Sequence, residues 1–429
     1  MSEAVRTDEP VPGLTVVSEH LPWCHGVAVG VWIAAGSADE GPGEHGAAHF
    51  LEHVLFKRTA HRTGLEISQS VDLVGGDLNA YTGREHTCYH VHVPAEALTE
   101  AVGVLLDVVA CGTCDPADIE LERDVVLDEL AARGDDTEDL ACDLATEAVL
   151  GSDPLGRPVI GTEESVRDLD ADVLRRVHSR SLRAGGVVVA AAGRVDHDEL
   201  VRLVADGPLG AALTHDGARG PRDAGRWATG PVLVGEDDDA EQTQVVLARR
   251  SPARAHPDRA AAQVATAVLG GGLSSRLFQR VREERGLAYS VYAGLEQFTS
   301  TGVLTVVAGC PAERADELTD ALAGVLEEFS AMPPDAAEVS RAVGHLTGSI
   351  RLSLDYPMSR MTRIGRHVLD RGAVVPVETS LRRLRAVTAD DVARYWAGER
   401  APWGLAVVGP GGAGPARGGA ARLLDRLGR

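Results

Sequence analysis

The chain is poor in aromatic residues and has no long apolar run. Phe, Trp and Tyr make up 4% of its 429 residues, while hydrophobic residues reach 44%. Its cores are therefore expected to be built from Val, Leu and Ala. No stretch of 18 or more apolar residues occurs, which argues against a transmembrane helix. Residues 1–12 are polar and acidic with no apolar centre, which argues against a secretory signal. Basic residues are also in deficit: 42 Lys and Arg stand against 64 Asp and Glu, a formal net charge of −22. That sign argues against a nucleic-acid binder. Two readings of the acidity stand side by side: a chamber that attracts basic peptides, or a surface that keeps the chain soluble.

The cysteines are few and scattered: Cys24, Cys88, Cys111, Cys114, Cys142 and Cys310. They do not form a disulfide framework, so the expectation is a cytoplasmic protein with reduced thiols. Cys111-Gly112-Thr113-Cys114 is a lone C-x-x-C and reads as two small residues in a loop, not as a metal or redox site. Gly270-Gly271-Gly272 lacks the Lys-Ser/Thr of a phosphate-binding loop and lacks dinucleotide spacing, so it reads as a loop before a helix.

What is present is His49-Phe50-Leu51-Glu52-His53. It has the form H-x-x-E-H, for which this composition gives roughly 0.08 chance occurrences. On a helix, positions i and i+4 lie one above the other, and i+3 points the same way. One turn then presents two imidazoles and a carboxylate to one point. Two neutral imidazoles suit Zn²⁺, a third protein ligand would leave one position for water, and a nearby carboxylate can take that water's proton. The order is the inverse of the commoner H-E-x-x-H zinc-peptidase motif. Leu51, Val54, Leu55 and Phe56 make the helix a packed one, and Gly41-Pro42-Gly43 breaks the chain before it.

The third ligand has to come from elsewhere. A helix is expected over 116–130, with Asp115 as N-cap and Pro116 at its first position. Glu122 and Glu129 are two turns apart on it and share a face. The same stretch carries Glu120, Asp124 and Asp128, so a merely solvated acidic face is the competing reading.

The length points to two domains of about 200 residues. Strands are expected at 14–17, 27–34, 77–81, 88–93 and 187–192, then at 244–248, 286–294 and 303–308. Helices are expected at 66–74, 99–109, 259–269, 276–284, 315–329 and 336–349. The strand-helix-strand order roughly repeats between the halves, but the H-x-x-E-H group does not. A stretch rich in Gly, Pro and Asp sets the expected division: 1–215, a linker at 216–232, and 233–429 with a Gly-rich tail at 409–420. His90 and His92 share one face of a strand and are expected to be solvent-exposed; with His45 and His86, they are expected to be spare of the metal site.

Several blocks together resemble the pitrilysin/insulinase family of zinc peptidases, in the branch of the mitochondrial processing peptidase and its bacterial relatives. They are 46–57 around the motif, Gly75-Gly76-Asp77-Leu78-Asn79-Ala80-Tyr81-Thr82, 122–130, 154–162, Leu269-Gly270-Gly271-Gly272-Leu273-Ser274-Ser275-Arg276-Leu277-Phe278 and 281–291. They run in family order over nearly the whole chain. The resemblance implies an α+β fold: two similar lobes, each with a mostly antiparallel sheet flanked by helices, enclosing a central cleft.

It further implies His49, His53 and Glu129 as ligands of one Zn²⁺ per chain, Glu52 as general base, and Glu122 as a second acid supporting the ligands. Arg282 and Tyr289 match a pair that reaches bound peptide near the catalytic centre. Asn79 and Ala80 match the edge strand along which the peptide lies. Val54, Arg58 and Asp128 depart from the usual Met, Gly and Glu, and none of these removes a ligand. The expectation is a zinc metalloendopeptidase acting on extended peptides, basic ones if the net acidity steers substrate, as a homodimer with a heterodimer as the other arrangement, free of membrane and nucleic acid. The alternative is a catalytically silent partner subunit or scaffold of a peptidase pair.

Overall fold

The computed structural model describes residues 5–183, 186–213, 232–236, 240–398, 401–410, 422–424 and 426–427. The expected linker lies outside them except for Val232, and so do residues 411–420 of the expected tail. The chain makes two compact units. The first comprises Met1–Leu130, Pro158–Pro221 and Arg351–Pro376; the second comprises Ala131–Arg157, Arg222–Ile350 and Val377–Arg429. Neither is one continuous stretch.

The first unit is built on a six-stranded sheet: β1 (Val5–Val11), β2 (Leu14–His20), β3 (Gly26–Ile33), β4 (Asp77–Thr82), β5 (Thr87–Pro94) and β6 (Val187–Gly193). Their order is β1-β2-β6-β3-β5-β4, and only the β2–β6 pair is parallel. The parallel and central strands read as continuous apolar runs because both faces are covered. One face packs α1 (Ala47–Leu55), α2 (Gly64–Asp72), α3 (Leu98–Cys111) and α4 (Pro116–Gly134) through a core of Val, Leu and Ile. The other face carries Val17, Ala28, Trp32, Cys88 and Ala190 against Met361, Ile364 and Val368 of the helix Pro357–Arg371. Close approach there depends on glycine. A Cβ on Gly365 would sit 2.4 Å from Trp32 Nε1.

The second unit repeats the plan with five strands: β7 (Val232–Glu236), β8 (Thr243–Ser251), β9 (Val291–Gln297), β10 (Gly302–Cys310) and β11 (Trp403–Gly409), ordered β7-β11-β8-β10-β9. Again one pair, β7–β11, is parallel and the rest are antiparallel. Strand for strand this matches β2-β6-β3-β5-β4 of the first unit. The α+β class and the mostly antiparallel sheets agree with the sequence reading. The strand expected at 286–294 is shifted: it starts at Val291, because Gly286 (φ 57°) turns the chain and 286–290 stay irregular.

Candidate metal centre

Helix α1 starts at a turn that the sequence builds in detail. Gly46 takes φ 89°, and a Cβ there would lie 2.8 Å from the Ile160 carbonyl oxygen. Both facts call for glycine. The buried Glu40 carboxylate accepts from the N–H groups of Gly46 (3.0 Å) and Ala48 (2.8 Å), placing negative charge at the helix N-terminus. Glu44 accepts from Gly41 N–H (2.9 Å) and is gripped by Arg180 at 2.9 and 2.5 Å. That guanidinium holds the Glu44 carboxyl below its ordinary pKa, against burial. Ala47, Phe50, Leu51, Val54 and Leu55 are buried. The helix is thereby fixed in rotation, with His49, Glu52 and His53 left on its other side.

Helix α4 brings the remaining acids. Asp115 caps it, accepting from Ala117 N–H at 2.9 Å, with Pro116 next. Glu129 faces both imidazoles: Oε1 lies 3.6 Å from His49 Nε2, and Oε2 lies 3.3 Å from His53 Nε2. The two rings stand 4.9 Å apart, centre to centre. One donor atom from each of His49, His53 and Glu129 falls within 4.8 Å of the other two. Tetrahedral ligands about 2.0–2.1 Å from Zn²⁺ stand about 3.4 Å from one another. The two imidazole-to-carboxylate distances, 3.6 and 3.3 Å, lie near that value, and the donor set of two imidazoles and a carboxylate fits zinc chemistry.

Glu122 plays a different part. It is buried, accepts from His53 Nδ1–H at 3.3 Å and pairs with Lys57 Nζ at 2.6 Å. Bonding at Nδ1 sets the tautomer that leaves His53 Nε2 as an acceptor facing Glu129. Glu52 accepts a 2.6 Å hydrogen bond from the Thr82 hydroxyl. Burial pushes its carboxyl pKa up, and this hydrogen bond opposes the rise.

Thr82 ends β4, which pairs only with β5 and so lies at one edge of its sheet. On that strand Asn79 is exposed and Ala80 buried, and Asn79 Oδ1 accepts from the Ala80 N–H at 2.8 Å. Arg282 and Tyr289 come together in the second unit: the guanidinium lies 4.9 Å from the Tyr289 ring centre, and the ring is 80% exposed. Arg282 also stands 3.8 Å from Glu283, the surface ion pair open to it.

The other histidines of the region do not join the metal donors. His45 bonds the Pro158 carbonyl at 3.0 Å, and His86 packs on Trp32 and Tyr81. His90 is half-buried rather than solvent-exposed, its pKa lowered by burial, whereas His92 is exposed. The sequence reading gave no part to Thr82 or Lys57. Lys57 follows His53 by one turn, a signal present in the spacing. Thr82 has none, since its contact needs the folded strand. Arg58 donates twice to Asp118 (2.7 and 3.1 Å) and ties the end of α1 to α4.

Comparison with known proteins places the chain in a family. Residues 15–163 match the family model "Insulinase (Peptidase family M16)", and residues 168–346 match "Peptidase M16 inactive domain". An uncharacterized zinc protease of Mycobacterium tuberculosis (strain H37Rv) is 46% identical over 406 residues, 93% of this chain and 92% of that protein. The uncharacterized zinc protease YmxG of Bacillus subtilis is 32% identical over 405 residues, 93% and 97% of the two chains. Among solved structures, a peptidase M16 inactive domain from Pseudomonas fluorescens superposes with a TM-score of 0.85 at 21% identity, covering 95% of this chain and 98% of that one. A protease from Helicobacter pylori gives 0.83 at 20% identity, covering 95% and 100%. With relatives this similar over nearly its full length, and with the donor set that a zinc peptidase needs, the chain belongs to the insulinase family of zinc peptidases, peptidase family M16.

Proposed function

We propose that this chain is a zinc-dependent endopeptidase that cleaves extended peptides, with His49, His53 and Glu129 holding one Zn²⁺ per chain and Glu52 acting as general base. The observation that carries the reading is the meeting of both imidazole Nε2 atoms with the two oxygens of one carboxylate, at 3.6 and 3.3 Å. Zn²⁺ held there supplies a Lewis acid for the scissile carbonyl and brings the pKa of a water to about 7. Glu52 takes the proton from the attacking water and passes it to the leaving amine nitrogen. Thr82 fixes the direction of that carboxylate. Glu122, backed by Lys57, holds the His53 ring.

As an edge strand, β4 offers main-chain hydrogen bonds to an extended peptide, and Asn79 and Ala80 are assigned to that contact. The resemblance assigns Arg282 and Tyr289 to peptide contact, where a phenol and a guanidinium can bond developing negative charge. The net charge of −22 favours basic peptides. We propose a homodimer acting in the cytoplasm. No helix among the described residues is long and apolar enough to cross a membrane. The alternative of a silent partner subunit draws on the name of the second family model, but that match spans 168–346 and contains none of the metal donors. Chelation tests the reading: stripped protein must lose peptide cleavage and regain it with Zn²⁺. A Glu129→Ala variant must bind zinc poorly and stay inactive. Cleavage that survives chelation overturns it.

A further inference from the structure

A second cluster of metal-ligating side chains lies in the first unit, apart from the residues above. His61 Nδ1 and Asp107 Oδ1 share a 2.7 Å hydrogen bond, which an ion would replace, and one donor atom from each of His61, Asp107 and Cys111 falls within 4.8 Å of the other two. We propose that these three residues form a second site for a divalent ion of the zinc class, distinct from the peptidase centre.

The donor set is an imidazole, a carboxylate and a thiolate, a combination that suits Zn²⁺ and disfavours Mg²⁺ or Ca²⁺. The supporting contacts are those of a built site. The other oxygen of Asp107, Oδ2, accepts from the Thr59 hydroxyl and from Arg62, both at 2.7 Å. Those bonds orient the carboxylate so that Oδ1 is the oxygen turned to His61, the role that outer partners play around metal ligands. Thr59 Oγ1 in turn accepts from the N–H groups of His61 (3.1 Å) and Arg62 (2.8 Å), which shapes the loop that carries the imidazole. The loop is stitched to the end of α3 by Ala60 N–H to Cys111 O (2.9 Å) and Thr113 N–H to Arg58 O (3.2 Å). The two segments that supply the donors are therefore already docked.

Access is also provided. Asp107 is 3% exposed and forms the floor, while the His61 side chain is 64% exposed and Cys111 is partly buried. By contrast, the Ser18–His197–Asp8 chain of hydrogen bonds is closed off. Ser18 is 2% exposed, so it presents no nucleophile. The structure divides the C-x-x-C pair that the sequence offered. Cys114, with φ 46°, is buried in the core, and Cys111 alone joins His61 and Asp107. Binding exchanges the thiol proton for the ion: the S–H bond breaks, a sulfur–metal bond would form, and the proton leaves to solvent, while the His61–Asp107 hydrogen bond opens and the imidazole keeps its one N–H on the ring nitrogen that faces away from the ion.

The test uses Co²⁺ added to the full-length, chelator-treated protein. The peptidase donors contain no sulfur, so a thiolate-to-cobalt charge-transfer band in the near ultraviolet is independent of the peptidase reading, and its loss in Cys111→Ser assigns it to this site among the free cysteines. The wild type must show the band, Glu129→Gln must keep it, and Cys111→Ser must lose it while retaining the wild-type far-ultraviolet circular dichroism. His61→Ala, a change on an exposed side chain, must weaken the cobalt affinity read from the band by about tenfold or more. A wild type without the band, a band unchanged in Cys111→Ser, or equal affinity in His61→Ala overturns the assignment.

Discussion

The hydroxyl of Thr82 donates a 2.6 Å hydrogen bond to Oε2 of Glu52, so the last residue of an edge strand orients the carboxylate that neighbours the metal donors. A peptide seated along that strand and the proposed base would thus share one support. Thr82→Val keeps the shape and removes the donor. We expect kcat to fall about 10- to 100-fold, with zinc content and KM little changed and Thr82→Ser close to wild type. Steady-state kinetics beside metal analysis checks this. Equal kcat in Thr82→Val and wild type would contradict it.

Glu122 joins Lys57 at 2.6 Å to His53 at 3.3 Å. Glu122→Gln weakens that support without emptying the space. Zinc affinity, measured by competition with a chelator, is expected to drop about 10- to 100-fold. A Lys57→Met variant should shift it in the same direction by less, since the Glu122–His53 contact survives.

Acid should weaken the start of α1 by a defined route. Arg180 holds the Glu44 carboxyl below its ordinary pKa. A depressed carboxylate stabilises the fold above its unfolded pKa, and that contribution disappears as pH falls through the lower folded value. Glu44→Gln is expected to cost about 1–3 kcal/mol near neutrality. The gap between the melting curves of variant and wild type should then narrow as pH drops below the ordinary glutamate range. A gap constant with pH would show that the ion pair carries none of the difference.

Gly365 lets the helix Pro357–Arg371 approach the sheet over Trp32, where an added Cβ would lie 2.4 Å from the indole nitrogen. Gly365→Ala improves helix propensity by about 1 kcal/mol but overpacks this contact at a cost of about 1–3 kcal/mol. We expect net destabilisation in denaturant unfolding. A stabilised variant would mean that the layer gives way more easily than its burial implies.

How far the sequence could be read depends on where each signal lives. His49, Glu52 and His53 were legible because one helical turn places them together. Glu129 was not separable by spacing alone from Glu120, Glu122, Asp124 and Asp128, and the resemblance had to choose it. In the structure Glu129 faces the two Nε2 atoms, while Glu122 faces Nδ1 and Lys57. Thr82 was illegible because its partner lies 30 residues away across a strand-to-helix contact. The strand Val5–Val11 went unseen because Arg6, Thr7, Asp8 and Glu9 give a polar edge with no apolar alternation. The helix Thr137–Leu150 went unplaced because its faces are mixed, and its packing on β8 and β11 is a property of the second unit and not of its neighbours in sequence.

The most direct test of the central claim is metal content and peptide cleavage in wild type beside Glu52→Gln. Glu52 is adjacent to a metal donor but is not one, so the variant should hold as much zinc as wild type while hydrolysis falls by at least about 100-fold. A variant that cleaves as fast as wild type at equal zinc content would show that Glu52 does not move the proton.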